Sequence, residues 1–350
     1  MTVQTPRAHR SAPAQARPLS SLDTAPIRAD LAAVEATMRR LAAGQRLDRA
    51  GVMVQEHLST GGKRLRARLA LASATALGVG PGARAWAEAV ELLHNATLIH
   101  DDIQDGDRVR RGQPTTWVRH GVAQAINAGD LMLMLPFVAI AQGGVPVVIQ
   151  AALSGCLATQ AATTVRGQTD ELHLLPGGHV DQESYDRAVR GKTGGLFGLP
   201  VEGAALLAGL DADDAASLAR PFGELGLLFQ LQDDVLDLYG DKGREQAGAD
   251  LFEGKVSALV VAHLARQPQD REALLALLRA PREETDPVAV AQTIADFRAS
   301  GALSDVLSRI EEIAAGVRDD EALLRVPALR TVALEITALV LQPIAHLAAP

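Results

Sequence analysis

Two apolar stretches of helical spacing end in the same cluster of carboxylates, and this constrains the chain more than any other feature. The first is Leu92-Leu93-His94-Asn95-Ala96-Thr97-Leu98-Ile99-His100, closing on Asp101-Asp102-Ile103-Gln104-Asp105. The second is Leu227-Leu228-Phe229-Gln230-Leu231-Gln232, closing on Asp233-Asp234-Val235-Leu236-Asp237. Residues four apart on a helix share a face about 6 Å apart, so Asp101 and Asp105 are expected to point the same way, with Asp102 beside them. Carboxylates crowded in this way raise one another's pKa and weaken the helix unless a cation lies among them. Hard oxygen ligands suit Mg²⁺ or Mn²⁺. One acidic helix end is ordinarily a solvated surface; here the preceding turns are apolar, and the pattern occurs twice.

Aromatic residues make up only 3% of the chain while Ala and Leu abound, which favours helices over strands. With 350 residues, 47% of them hydrophobic, a large core can be buried. The net charge of -8 argues against a nucleic-acid partner, which requires a basic stripe. Cys156 is the only cysteine, so no intrachain disulfide or thiolate metal site forms, and a reducing cytoplasm fits. Residues 131–165 carry no charged side chain. Pro136, Gln142-Gly143-Gly144, Pro146 and Gln150 divide that stretch, and each piece is expected to be a buried core helix rather than a ~20-residue membrane span. Residues 1–25, rich in Ala, Pro, Ser and Arg, are expected to be a disordered tail. The folded domain is then 26–350.

Basic groups flank both acidic clusters. Lys63-Arg64-Leu65-Arg66 follows Gly61-Gly62 and opens a helix, where cations oppose the macrodipole unless an anion is to be met there. Arg108, Arg110 and Arg111 lie directly beyond the first aspartates, and their planar forks suit phosphate oxygens. Gly191-Lys192-Thr193-Gly194-Gly195 interrupts a helix expected over 182–208. Its glycines destabilise a helix, which makes sense where Lys192 and the backbone approach a ligand. Further helices are expected over 47–58, 83–105, 120–142, 147–173 and 214–239, with polar joints after Val256 and no strands.

Gly61 to Arg66, Asp101 to Asp105, Arg110 to Thr115, Gly191 to Gly194, Gln230 to Asp237 and Gly248 to Lys255 together resemble, in order and spacing, the trans-isoprenyl diphosphate synthases. The resemblance covers roughly residues 26–345. It implies an all-α single-domain bundle of long antiparallel helices around a central cavity, usually homodimeric, with three Mg²⁺ ions between the two aspartate motifs. Asp101, Asp102, Asp105, Asp233, Asp234 and Asp237 would be the metal set, with Asp101, Asp105, Asp233 and Lys192 catalytic. Lys63, Arg66, His94 and Arg111 would bind isopentenyl diphosphate. Arg110, Lys192, Thr193, Gln230 and Lys255 would contact the allylic diphosphate. The implied reaction loses diphosphate from the allylic substrate, and the resulting cation is attacked by the double bond of isopentenyl diphosphate.

The sequence departs from the family pattern at Glu245, where a lysine is usual, with Lys242 and Arg244 as candidate substitutes, and at Glu171, where aspartate is common. Side chains one to two turns before the first aspartates limit the product tail in the family. Here they are the small Ala96 and Thr97, which favours a C20 product, geranylgeranyl diphosphate, over farnesyl diphosphate; longer polyprenyl products stay open. Met132, Met134 and Phe137 are alternative floor residues. The rival readings are a terpene cyclase, a metal phosphohydrolase built on His94, His100-Asp101 and His120, and a non-catalytic partner subunit of a synthase.

Overall fold

The computed structural model of the protein describes residues 21–80, 82–240 and 247–347. The Thr24 hydroxyl accepts from the Ile27 amide and Pro26 occupies the first turn, so α1 (Ala25–Ala43) starts with both favourable features of a helix N-terminus. Its apolar stripe Ile27, Leu31, Val34, Met38 and Leu41 is buried. Asp48 caps α2 (Arg49–Ser59), and α3 (Leu65–Ala76) leads to α4 (Ala83–Gln104), the first aspartate helix. Beyond it the arginine loop folds back as a two-residue antiparallel ladder, β1 (Val109–Arg110) with β2 (Gln113–Pro114), where no strand was expected. Then follow α5 (Thr116–His120), α6 (Val122–Gln142), α7 (Val147–Leu174), α8 (Gln182–Val189), α9 (Gly195–Leu207) and α10 (Ala212–Tyr239), the second aspartate helix. Seven further α-helices follow among the described residues: α11 (Ala249–Phe252), α12 (Ala258–Arg266), α13 (Arg271–Arg279), α14 (Pro287–Ala299), α15 (Ala302–Arg318), α16 (Glu321–Leu324) and α17 (Pro327–Leu341). The all-α expectation is met.

Helix α4 is central, packed against α1, α3, α6 and α9, and α10 lies along α9, α15 and α17. Close approach is possible where side chains are small. A Cβ on Gly203 of α9 would lie 2.0 Å from the buried Trp86 ring, whose indole N–H donates to the Pro200 carbonyl at 3.0 Å.

Pro136 lies inside α6, which runs unbroken to Gln142 as the helix expected over 120–142 requires; packing against α4 offsets the single hydrogen bond that the proline removes. Two expectations need correction. Helix α7 is not a buried core helix: Val147 and Val148 are 82% and 85% exposed, and its outer face is open to solvent. By length and composition alone, α6, α7 and Pro327–Ile344 are each long and apolar enough to cross a membrane. Finally, residues 21–24 are ordered. Leu22 is fully buried, the Ser21 amide and hydroxyl donate to Glu335 of α17 at 2.9 and 2.6 Å, and Asp23 pairs with Arg68 at 2.5 Å. Residues 1–20 lie outside the described residues.

Glu88 faces α1 from α4 and is 5% exposed. Burial pushes its carboxyl up to about 7, partly opposed by Thr37 and Arg40. Between the ordinary value and about 7, the folded chain therefore holds a proton that the unfolded chain has released, so stability falls as pH rises through that window. Thermal melts should show a loss of roughly 2 kcal/mol from pH 5 to pH 8 at this site, and Glu88→Gln should flatten that slope.

Candidate active site

The first aspartate cluster divides into two faces. Asp101 and Asp105 lie together, with side chains only 17% and 15% exposed, and each meets a lysine: Lys192 Nζ is 4.0 Å from Asp101, and Lys255 Nζ is 3.3 Å from Asp105. Asp102 turns the other way, accepts from Arg110 Nε at 2.6 Å, and is buried. An (i, i+1) step rotates about 100° around a helix, so the reading that set Asp102 beside the other two does not hold. Burial pushes both Asp101 and Asp102 up to about 6; Lys192 opposes the rise at Asp101, and Arg110 opposes it at Asp102.

The second cluster divides in the same way. Asp233 is half-buried, whereas Asp234 and Asp237 are buried. Asp234 accepts from the Tyr185 hydroxyl at 2.7 Å, the Ala258 amide at 2.7 Å and Gln230 Nε2 at 2.9 Å. Asp237 accepts from the Asp250 amide at 3.0 Å. In this arrangement Asp234 and Asp237 anchor the following segments, and Gln230 spends its amide on Asp234, although all three were assigned to metal or substrate. The turn that Asp237 holds ends at Lys255, which reaches Asp105, so the segment 248–255 joins the two clusters into one site.

Lys192 is delivered by a π-helical turn, Arg190–Gly194, between α8 and α9. Insertions of this kind frequently mark functional sites. The turn is pressed between α7 and α10 at glycines: a Cβ on Gly167 would lie 2.2 Å from the Lys192 amide nitrogen, and one on Gly226 would lie 2.6 Å from Gly194 Cα. Burial disfavours the Lys192 ammonium, but Glu171, 2.5 Å away, and Asp101 outweigh it and hold its pKa above the ordinary value. Thr193 is half-buried in the same turn. The Lys192–Glu171 pair links positions 21 residues apart, and sequence spacing carried no signal of it.

Two turns back along α4 lies a basic set. Arg66 stacks over Phe197 with its guanidinium carbon 4.7 Å from the ring centroid, and its Nε has no hydrogen-bond partner. Burial pushes Arg66 down to about 10. His94 Nδ1 is likewise buried without a partner; burial, then Arg66 and Arg111, hold this imidazole neutral. Arg111 has φ 52° and donates to the Gly61 carbonyl, while Lys63 is exposed at the rim. Gly62 lies at φ 129°, a backbone conformation that favours glycine, and a Cβ there would lie 2.6 Å from the mobile end of Arg111. Arg66, His94 and Arg111 from three segments thus come together, two of them with unpartnered buried nitrogens, and Lys63 precedes them on the exposed loop.

Other assigned positions fall as follows. Ala96 is fully buried, and Thr97 donates to the His94 carbonyl at 2.8 Å. Met132 is buried, whereas Met134 is 56% exposed and faces away from the bundle. The histidines required by a phosphohydrolase are held apart: His120 contacts Glu56 at 2.7 Å, and His100 lies 3.4 Å from Asp130. Lys242, Arg244 and Glu245 lie outside the described residues.

The family model described as polyprenyl synthetase matches residues 49–296, which is more than half of the chain. The chain belongs to the polyprenyl synthetase family. It is therefore an enzyme of the transferase class that prenyl synthases form. A short chain isoprenyl diphosphate synthase of Methanothermobacter thermautotrophicus is 35% identical over 252 residues, 71% of this chain and 76% of that protein. A geranylgeranyl diphosphate synthase of Mycobacterium tuberculosis is 36% identical over 238 residues, 65% of each chain. Among solved structures, the polyprenyl synthase of Caulobacter crescentus, complexed with calcium and isoprenyl diphosphate, superposes with a TM-score of 0.79 at 26% identity. The match covers 92% of this chain and 97% of that one.

Proposed function

We propose that this synthase joins isopentenyl diphosphate to an allylic diphosphate of five to fifteen carbons, and that its product is linear all-trans geranylgeranyl diphosphate. The observation that supports the reading is two separate basic groups, one around His94 and one around Asp101, two turns apart along α4. One is Lys63, Arg66, His94 and Arg111; the other is Lys192 and Lys255 set against Asp101 and Asp105. A reaction with two diphosphate substrates needs both.

The donor chemistry fits a divalent cation. Asp101 and Asp105 present hard oxygens on one face, and their crowding is offset by Lys192 and Lys255, with Arg110 also acting on Asp101. Among the described residues no three metal-ligating side chains converge unaided. Asp101, Asp105 and Asp233 would hold Mg²⁺, which when bound supplies Lewis-acid stabilisation to a departing diphosphate. Lys192, Thr193, Lys255 and Arg110 hold the allylic diphosphate and favour its departure. Arg66, Lys63, Arg111 and neutral His94 orient isopentenyl diphosphate so that its double bond faces the cation. The proton lost from the new chain leaves with the diphosphate. Apolar walls keep out water, which would quench the cation.

The deciding assay supplies isopentenyl diphosphate, each of three allylic primers and Mg²⁺, and sizes the products. A twenty-carbon chain is expected; no elongation with any primer refutes the reading, and a cyclic product formed without isopentenyl diphosphate favours a cyclase. Product length rests on the small side chains before Asp101. Ala96→Phe is expected to shorten the product to fifteen carbons or fewer, keep turnover within about threefold, and cost roughly 1–3 kcal/mol of stability through overpacking. An unchanged product moves the cavity floor elsewhere.

The outer face of α7, where Val147, Val148 and Val165 are 82%, 85% and 62% exposed and no charged side chain occurs before Arg166, suits a second copy of the chain. We therefore read the protein as a homodimer, acting in the cytoplasm. Light scattering should give a dimer mass, and Val148→Glu should shift it to the monomer with unchanged helicity.

A further inference from the structure

Arg64 stands inside the basic stretch assigned to isopentenyl diphosphate, yet its side chain does not join that site. Its backbone is left-handed, φ 50° and ψ 42°, a conformation that non-glycine residues rarely adopt. Only 4% of the residue is exposed. The guanidinium is engaged by three other helices. Nε donates to Glu35 of α1 at 2.9 Å, and one terminal nitrogen donates to the Leu58 carbonyl of α2 at 2.7 Å. The other lies 3.5 Å from Asn95 Oδ1 and 3.7 Å from Glu91, both on α4. Glu91 also accepts from the Ala67 amide at 3.1 Å, so a carboxylate from α4 caps the first turn of α3.

The loop that this cluster grips begins at Gly61 and Gly62, with φ values of 82° and 129°, and therefore has little stiffness of its own. Lys63 and Arg66 flank Arg64 on the loop and on the first turn of α3, the former exposed and the latter over Phe197. A buried ion pair is weak evidence for stability, because desolvation offsets its attraction. A planar fork that satisfies partners on three helices does, however, define one geometry.

We propose that Arg64 is a positioning residue: its pairing with Glu35 and Glu91 fixes residues 61–66 so that Lys63 and Arg66 meet isopentenyl diphosphate, while Arg64 itself does not touch it. This rests on the function proposed above. Without the cluster, binding must order the loop, and that ordering is subtracted from the affinity.

The test uses the full chain with Mg²⁺ and measures the Kd of isopentenyl diphosphate by calorimetry, KM for each substrate, and melting temperature. Arg64→Lys keeps the charge and loses the fork; Glu35→Gln alters a carboxylate that is 34% exposed and keeps the core intact. Arg64→Lys is expected to weaken isopentenyl diphosphate binding at least tenfold with the allylic KM within twofold, and Glu35→Gln about threefold. A folded Arg64→Lys with the wild-type Kd, or with both substrates weakened equally, overturns the inference. If Arg64→Lys does not fold, Glu35→Gln decides alone, and an unchanged Kd overturns it. Wild-type protein that binds isopentenyl diphosphate but elongates no primer refutes the functional reading and leaves the Kd comparison standing; wild-type protein that does not bind it overturns this inference as well.

Discussion

Asp101→Ala is expected to lower turnover about 10³-fold, roughly 4 kcal/mol of transition-state stabilisation, in a protein that stays folded. In the proposed reaction the carboxylate would meet the departing allylic diphosphate; in the fold it lies with Asp105 on one helix surface with Lys192 alongside. Its burial raises its pKa to about 6, so at neutral pH the fold holds this charge against a desolvation penalty. Removing it relieves that penalty, and Lys192 keeps Glu171 as a partner. The melting temperature should therefore hold or rise, while the Kd for isopentenyl diphosphate stays at the wild-type value, because Arg66, His94 and Arg111 are untouched. A variant that unfolds, or one that retains more than a tenth of wild-type turnover, contradicts the role given to Asp101.

Gly167→Ala is expected to be nearly as damaging by a different route. Its added Cβ would meet the Lys192 nitrogen at 2.2 Å, the Gly191 carbonyl carbon at 2.5 Å and Gly191 Cα at 2.8 Å. All three are backbone atoms, so no side-chain rotation relieves the clash, and α7 and the π-helical turn must separate. Overpacking of this kind typically costs 1–3 kcal/mol, occasionally more; contact with three backbone atoms at the Gly191–Lys192 peptide points to the upper end, about 3 kcal/mol. Lys192 moves with the turn, and displacement of a catalytic group by about 1 Å lowers turnover about 10²-fold. Urea unfolding and steady-state kinetics on the same preparation check both figures. Gly155→Ala, on the same helix with open space around its Cβ position, is the control and should change neither.

Much of this molecule was legible in local pattern. The limits of α4, α6, α7 and α10 fall within two residues of the expected ones, because apolar periodicity and glycine or proline punctuation act over a few residues. The candidate site residues were also visible, since the family's motifs survive in order. What misled was treating a cluster in sequence as a cluster in space. Asp102, Asp234 and Asp237 carry the same charge as their neighbours, yet each is buried and holds a neighbouring segment. A strict helical projection separates (i, i+1) from (i, i+4) and could have foretold this for Asp102 and Asp234.

The sequence alone determined that the chain is helical, where its long helices start and stop, and that two acidic helix ends belong with two basic segments. These properties depend on propensity, capping and periodicity, all of which are short-range. Only the tertiary structure decided which aspartate of each cluster turns aside, that Glu171 accompanies Lys192, that the valines at the start of α7 are left exposed, and that Arg64 turns toward Glu35 and Glu91 while Lys63 stays at the surface and Arg66 stacks on Phe197. Those outcomes depend on contacts between segments distant in the chain, where packing and desolvation choose among side chains that sequence spacing treats alike. The aspartate helix α4 shows both: its run and its carboxylates were plain in the sequence, but its division into one face for the site and one for Arg110 came from what packed around it.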